Sequence, residues 1–208
     1  SVMDIGTVAH KVLLEGNLDG IMTVDAEDWR TKAAKEARDT AHAAGLVPIL
    51  SAKLPLILNL VDAAKTFIAT SEIAGIFDAG KPEVTLTWED DGVACKARPD
   101  YLAEGWHISV KTTEARANPN SYTKFRMSQL GHDLALAFYD RGFRALGKTV
   151  EHRILLIEQS APYGCCMFGL APSKLDYAER RAARAIAVWR ECRRTDFWPC
   201  YPTETCFA

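Results

Sequence analysis

The sequence predicts a single α/β (α+β) domain, residues 1–208, in which helices flank a mixed β-sheet, and three observations carry that expectation. Across residues 81–113, KPEVTLTWEDDGVACKARPDYLAEGWHISVKTT, apolar and polar residues alternate with period two between turn-forming residues, the pattern of an antiparallel meander. Two further apolar stretches, residues 150–159 and CCMFGLAP at 165–172, have the length and bounding of buried strands. Segments with helical spacing precede, separate and follow these strands, an order that suits layers of helix and sheet rather than a doubly wound fold.

Taken in order, IGTVAHKVLLEG places Val8, Val12 and Leu13 at helical spacing between Gly6 and Gly16, with His10 on the same short helix. A histidine so placed is by itself more often a packed or surface residue than a ligand. A short apolar strand, IMTV, leads to an alanine-rich helix expected over residues 28–44, closed by Gly45 and followed by Pro48. Residues 51–77 read as a second helix, with Leu56, Leu60, Ala63, Ala64 and Phe67 on its buried stripe, and then a short helix before Gly80. In the meander, Val84, Leu86 and Trp88 alternate with polar residues, Asp91-Gly92 makes the hairpin turn, and the return strand carries Val93, Cys95 and Ala97. A third strand, residues 106–111, is expected antiparallel to that return strand. A long helix is expected over residues 121–143, with Met127, Leu130, Leu134, Phe138 and Tyr139 in rhythm and Gly142 as its end, and a final helix over residues 173–194.

Composition bounds the function. At 208 residues and 48% hydrophobic content the chain can bury one ordinary core. With 25 Lys and Arg against 27 Asp and Glu, the formal charge of −2 excludes a polycationic coat, yet permits a local basic strip beside an acidic metal site. No apolar run reaches the roughly 18–20 residues that span a bilayer; the longest candidate, LVPILSAKLPLILNLVDAA, is broken by Lys53 and two prolines. SVMDIGTVAH carries no basic segment ahead of an apolar one, so a cytoplasmic protein is expected. The six cysteines include the adjacent Cys165 and Cys166 and no C-x-x-C pair, so reduced thiols are expected. An iron–sulfur staple on Cys192, Cys200 and Cys206 would need a distant fourth thiol such as Cys95 or Cys165 and is not expected. No glycine-rich nucleotide-binding signature is present.

Chemistry concentrates in the meander. Glu83, Asp100 and Lys111 can reach one place there, and carboxylates beside a lysine at strand ends suit metal-dependent phosphodiester cleavage. Two residues before Lys111, where a second acid would be expected, stands Ser109. Glu83, Arg98-Pro99-Asp100 and Val110-Lys111-Thr112-Thr113, preceded by Gly6-x3-His10, resemble the phage and prophage exonuclease VIII-type branch of the PDDEXK nuclease superfamily. The likeness extends over DWRTKAAKEARDTAHAAG, Ala137-Phe138-Tyr139 and the closing EC-x5-WP-x-YP, nearly the whole chain.

The resemblance implies a restriction-endonuclease-like core and a Mg²⁺- or Mn²⁺-dependent deoxyribonuclease acting on linear duplex DNA ends. It also implies a possible homo-oligomeric ring and a single-strand annealing protein as partner. On this chain His10 and Asp100 would ligate the metal, Glu83 would place the metal or the attacking water, and Lys111 would contact the scissile phosphate. Arg30, Lys32 and Lys35 on the alanine-rich helix, with Lys124 and Arg126, are candidate DNA contacts, the bland alternative being a solvated face of mixed charge. The sequence departs from the family pattern at Ser109, and at Ala135, which stands where relatives carry the glutamine of Gln-x-x-x-Tyr if Tyr139 is its tyrosine; Gln129 is offset on the same helix. Ser109 is open to several readings: an introduced inactivating change, decay of a prophage copy, an acid moved elsewhere with Glu104 or Glu114 as replacement, or a plain polar strand residue. Two alternatives to the exonuclease stand beside it, a DNA-binding module that has lost hydrolysis, and an endonuclease or cluster-bearing nuclease.

Overall fold

The computed structural model describes residues 2–200, with side chains from residue 5 onward. Cys206, and Tyr201 and Pro202 of the closing motif, lie outside the described residues. The main sheet has five strands in the order β3–β6–β7–β8–β9, formed by Lys81–Pro82, Tyr101–Ala103, Trp106–Thr113, Glu151–Glu158 and Cys165–Phe168. β7 and β8 run parallel along their whole length, from Trp106 opposite Glu151 to Thr113 opposite Glu158, while the other neighbours are antiparallel. The expected mixed sheet flanked by helices is therefore what the chain forms.

Alternation along β8 serves two cores at once. Leu155 and Ile157 join Ile108 and Val110 of β7 under α1 (Val2–Glu15) and α3 (Leu54–Ala69), whose Val8, Val12, Ile57 and Leu60 are buried against them. Ile154 and Leu156 face the opposite side and pack with Tyr122, Met127 and Leu136. On that side α6 (His132–Ala145) is overlaid by α7 (Pro172–Thr195) through Ala137, Ala178 and Ala182. Small residues at that seam let the two helix backbones approach closely.

Several elements differ from expectation for identifiable reasons. The hairpin of β4 (Leu86–Asp90) and β5 (Val93–Ala97) is a separate two-stranded sheet, packed by Leu86, Trp88 and Cys95 against Phe143 and Phe138 of α6. Its turn is as expected, with Asp91 and Gly92 both at positive φ, 51° and 76°. The antiparallel neighbour of β7 is β6, not β5: Pro99 has no N–H for a ladder, and the strand breaks there. Glu83 belongs to no strand, its φ of 54° marking a break between β3 and β4.

The alanine-rich helix, α2 (Lys32–Ala43), starts later than expected because Thr31 caps it, its hydroxyl accepting from the Ala34 N–H at 3.2 Å, while Asp28 is engaged by Arg30. α2 packs on a parallel ribbon of β1 (Ile21–Val24) and β2 (Val47–Leu50); the second strand of this ribbon has no obvious sequence signal, since Pro48 sits within it. In α3 the buried face is Ile57, Leu60, Val61, Ala64 and Ile68, so the stripe is rotated from Leu56, Ala63 and Phe67, which are only half-buried or exposed to one side.

The helix expected over residues 121–143 is broken in two. A short turn capped by Asn118 runs into a π-helical segment, Tyr122–Arg126, and Gly131 at φ 70° redirects the chain into α6. Gly142 does not end α6. It lies inside the helix against Trp88, where an added Cβ would meet the indole at 2.9 Å.

Candidate metal centre and cleft

The site is assembled around the break at Pro99. The β6–β7 register, continued past Tyr101 opposite Ile108, brings Asp100 opposite Ser109. There the Asp100 carboxylate takes the place of a ladder acceptor: its Oδ2 accepts from the Val110 N–H at 2.8 Å, the Ser109 hydroxyl at 3.0 Å and Lys111 Nζ at 3.0 Å. Three donors on one oxygen fix the carboxylate and leave Oδ1 facing away.

That second oxygen meets α1. His10 Nε2 lies 3.5 Å from Asp100 Oδ1, and His10 Nδ1 lies 3.5 Å from Glu83 Oε1. Gly6 lets the helix come this close to β7, since a Cβ there would sit 3.0 Å from Thr112 Oγ1. His10 follows one helical turn later, on the same face.

Glu83 is itself the left-handed residue that follows β3. Its N–H donates to the Asp100 carbonyl at 3.0 Å, and Arg98 Nε holds its Oε2 at 2.7 Å, leaving Oε1 toward His10. A non-glycine residue in this conformation carries a strain of about 1 kcal/mol, which these bonds offset.

His10, Glu83 and Asp100 thus offer one imidazole nitrogen and two carboxylate oxygens within 4.8 Å of one another, and no other such group of three occurs among the described residues. Cys192 is buried and Cys200 exposed, and neither joins a ligand group. Burial opposes ionisation of Asp100, but the hydrogen bond from His10 and the charge of Lys111 outweigh it and hold the carboxyl well below its usual range. The group is an anion at neutral pH, the form in which a carboxylate ligates a cation.

An open cleft of about 550 Å³ adjoins this centre, lined by Gly6, His10, Lys111, Leu130, His132 and Gln159. His132 and Gln159 escaped the sequence reading. Gln159 donates from Nε2 to Thr112 Oγ1 at 2.9 Å, which holds it at the end of β8 beside Lys111. His132 Nδ1 lies 2.5 Å from the Tyr122 hydroxyl. Burial pushes the Tyr122 phenol up to about 12 and, with the Lys111 charge, pushes His132 down to about 4. Both groups are therefore neutral, and where the phenol donates to Nδ1 the imidazole carries its proton on Nε2. The only sequence signal for this pair is their nearness to Gly131, which gives no hint that the helix breaks.

The remaining expected residues divide. Tyr139 is near the centre: burial, then the charges of Asp100 and Glu83, raise its phenol above the ordinary value. Ala135 lines a different depression, and Gln129 is exposed outside the cleft. Glu104 sits at the β6–β7 turn and Glu114 beyond β7, both exposed and neither in the ligand group, so neither takes the place of an acid at Ser109. Lys124 and Arg126 ride on the π-helical segment near Leu130 of the cleft wall. Arg30, Lys32 and Lys35 are on or before α2, which contributes nothing to the cleft; Arg30 pairs with Asp28 and Lys32 with Glu36.

Comparison with known proteins gives the family of the chain. Residues 1–207 match the family described as PDDEXK-like domain of unknown function (DUF3799). The chain belongs to that family. Its fold is shared with a crystal structure from Eubacterium rectale described as a "Putative exonuclease", at a TM-score of 0.60 and 13% identity, covering 95% of this chain and 69% of that one. No curated protein matches the sequence. Among the described residues no helix is long and apolar enough to cross a membrane.

Proposed function

We propose that this PDDEXK-like domain is a divalent-metal-dependent deoxyribonuclease. The observation that carries the reading is the convergence of His10, Glu83 and Asp100 on one point, with Lys111 bound to the far oxygen of Asp100. Two carboxylates and one imidazole suit Mn²⁺ at least as well as Mg²⁺, because nitrogen is a poorer partner for the harder ion. A cation bound there supplies Lewis-acid charge at a phosphoryl oxygen.

The chain's own groups do the rest. Asp100 offers Oδ1 while its Oδ2 is fixed by backbone and side-chain donors. Lys111 brings a positive charge to the cleft where negative charge builds on the phosphate. His132 is neutral, and in the tautomer in which Tyr122 donates to Nδ1 its Nε2–H can bond a non-bridging oxygen without adding charge. Ser109 does not replace a carboxylate; its hydroxyl orients Asp100 instead. Lys124 and Arg126, on the π-helical segment that precedes Leu130 of the cleft wall, would hold the DNA backbone, with Arg30, Lys32 and Lys35 before and on α2 as more distant contacts.

The finer reading, an exonuclease of phage recombination type acting on duplex ends in the cytoplasm, with a ring-shaped assembly and an annealing protein as partner, rests on the motif resemblance. The test is digestion of linear and circular duplex DNA with Mn²⁺, Mg²⁺ or EDTA. Digestion of the linear form with Mn²⁺, lost in EDTA and in Lys111→Ala, supports the nuclease. Absence of digestion with either ion, unrestored in Ser109→Asp, overturns it. Ser109 itself favours a second reading, a DNA-binding module that has lost hydrolysis, for which salt-sensitive and chelator-insensitive binding is the mark.

A further inference from the structure

The turn Leu130–Gly131–His132 is a shared wall. On one side Leu130 and His132 face the cleft; on the other Gly131 joins Leu134, Ala135, Ala182, Ala185 and Trp189 in an apolar groove of about 500 Å³ between β5, α6 and α7. The groove ends at Trp189, whose ring meets that of Trp198 edge to face, centroids 5.1 Å apart. Both indoles are about half exposed, at 52% and 46%, and Leu130 on the dividing wall is exposed as well, at 56%. Large aromatic surface left in water at the end of a groove needs an occupant to cover it.

The charges around Trp189 narrow the choice of occupant. Lys96, Arg184 and Arg193 are exposed and pair with no acid among the described residues, and Arg190 and Arg194 stand beside them, paired with Asp91 and Glu191. A second copy of the chain docked symmetrically on this face would set these cations against their own equivalents. An anionic polymer with flat apolar faces meets the cations and the indoles together, which is the chemistry of a single-stranded nucleic acid.

The geometry points to the α6–α7 groove as a binding path for single-stranded DNA, with bases stacked on Trp189 and Trp198 and phosphates on Arg184, Arg193 and Lys96. The inference extends the nuclease reading, since a strand leaving the cleft over Leu130 enters this groove directly. It needs neither the metal nor cleavage.

The experiment is titration of a fluorescein-labelled oligothymidylate into the protein in EDTA, read by anisotropy and by tryptophan quenching at two salt concentrations. Wild type binds with a negative salt slope and quenched indole emission. Trp189→Ala weakens binding by about tenfold or more, the scale of one lost stacking contact, and Arg184→Glu with Arg193→Glu flattens the slope. Lys111→Ala weakens binding less than Trp189→Ala does. If instead Lys111→Ala abolishes binding while Trp189→Ala and the reversed arginines retain it, the strand lies in the cleft and the inference fails. It fails too if the oligonucleotide does not bind and sedimentation shows a dimer that Trp189→Ala dissociates. Circular dichroism of each variant separates loss of binding from loss of fold. Failure to cleave DNA with Mn²⁺ would overturn the nuclease reading and leave this result standing.

Discussion

Ser109 Oγ donates to Asp100 Oδ2 at 3.0 Å, on the same oxygen that Lys111 and the Val110 N–H hold. At 4% exposure the serine occupies a position where a carboxylate would face Asp100 at close range.

Ser109→Asp should therefore act in opposite directions with and without metal. In EDTA two buried like charges raise the energy of the folded state, and the melting temperature falls. With Mn²⁺ the added carboxylate strengthens binding, and the melting temperature recovers beyond that of wild type. Thermal melts in both conditions check this, and equal shifts in the two would refute it.

Asp100 itself is held ionised. Because its pKa is depressed on folding, its contribution to stability is fully present above its unfolded value near pH 4 and is lost as pH falls through the lower folded value. Asp100→Asn should remove Mn²⁺ binding by calorimetry at neutral pH, and should flatten the acid limb of stability below about pH 4.

Gly6→Ala should be costly for the site rather than for the fold alone. The new methyl would meet Thr112 Oγ1 at 3.0 Å and push α1 from β7, carrying His10 away from Asp100. Mn²⁺ affinity is expected to fall by about tenfold, and Thr112→Ala in the same chain should restore it by opening space. Calorimetric titration of the single and double variants gives the answer.

The Tyr122–His132 bond sets which imidazole nitrogen carries the proton toward the cleft. Tyr122→Phe removes the partner hydroxyl and frees His132 to change tautomer, so turnover should fall by about a hundredfold, the lower end of a general acid–base contribution. His132→Gln should retain more activity than His132→Ala, because an amide can still donate. Mn²⁺ affinity is expected to stay unchanged in all three, which distinguishes positioning from a damaged metal centre.

A second histidine pair governs acid stability. His107 Nδ1 lies 2.8 Å from His152 Nδ1, and His152 Nε2 lies 3.3 Å from Asp140. If His152 donates to Asp140, His107 donates to His152, and His107 Nε2 is left buried and without a partner. Burial, with His152 beside it, holds His107 down to about 3. A lowered folded value means the unfolded chain takes up the proton first, so stability declines as pH falls from about 6.5 towards 3. His107→Leu should have a shallower decline over that window in urea unfolding, even if its stability at neutral pH is lower.

Local pattern carried much of this protein. Alternation in β4, β5 and β7, the Asp91-Gly92 turn and the long terminal helix are properties of neighbouring residues, and the ordered series His10, Glu83, Asp100, Lys111 could be read without coordinates. The sequence also exposed its own irregularity at Ser109. What it could not carry were decisions made between distant segments. Pro99 looks like a strand end, but only the neighbouring β7 turns Asp100 into its ladder acceptor. The rhythm of residues 121–143 suits one helix; burial of Tyr122 and Met127 against Ile154 and Leu156 broke it into two and brought His132 to the cleft. Gly6 and Gly142 read as helix ends, whereas both are points where one element must approach another too closely for a side chain. Periodicity records which face of an element is buried, and only packing decides against what.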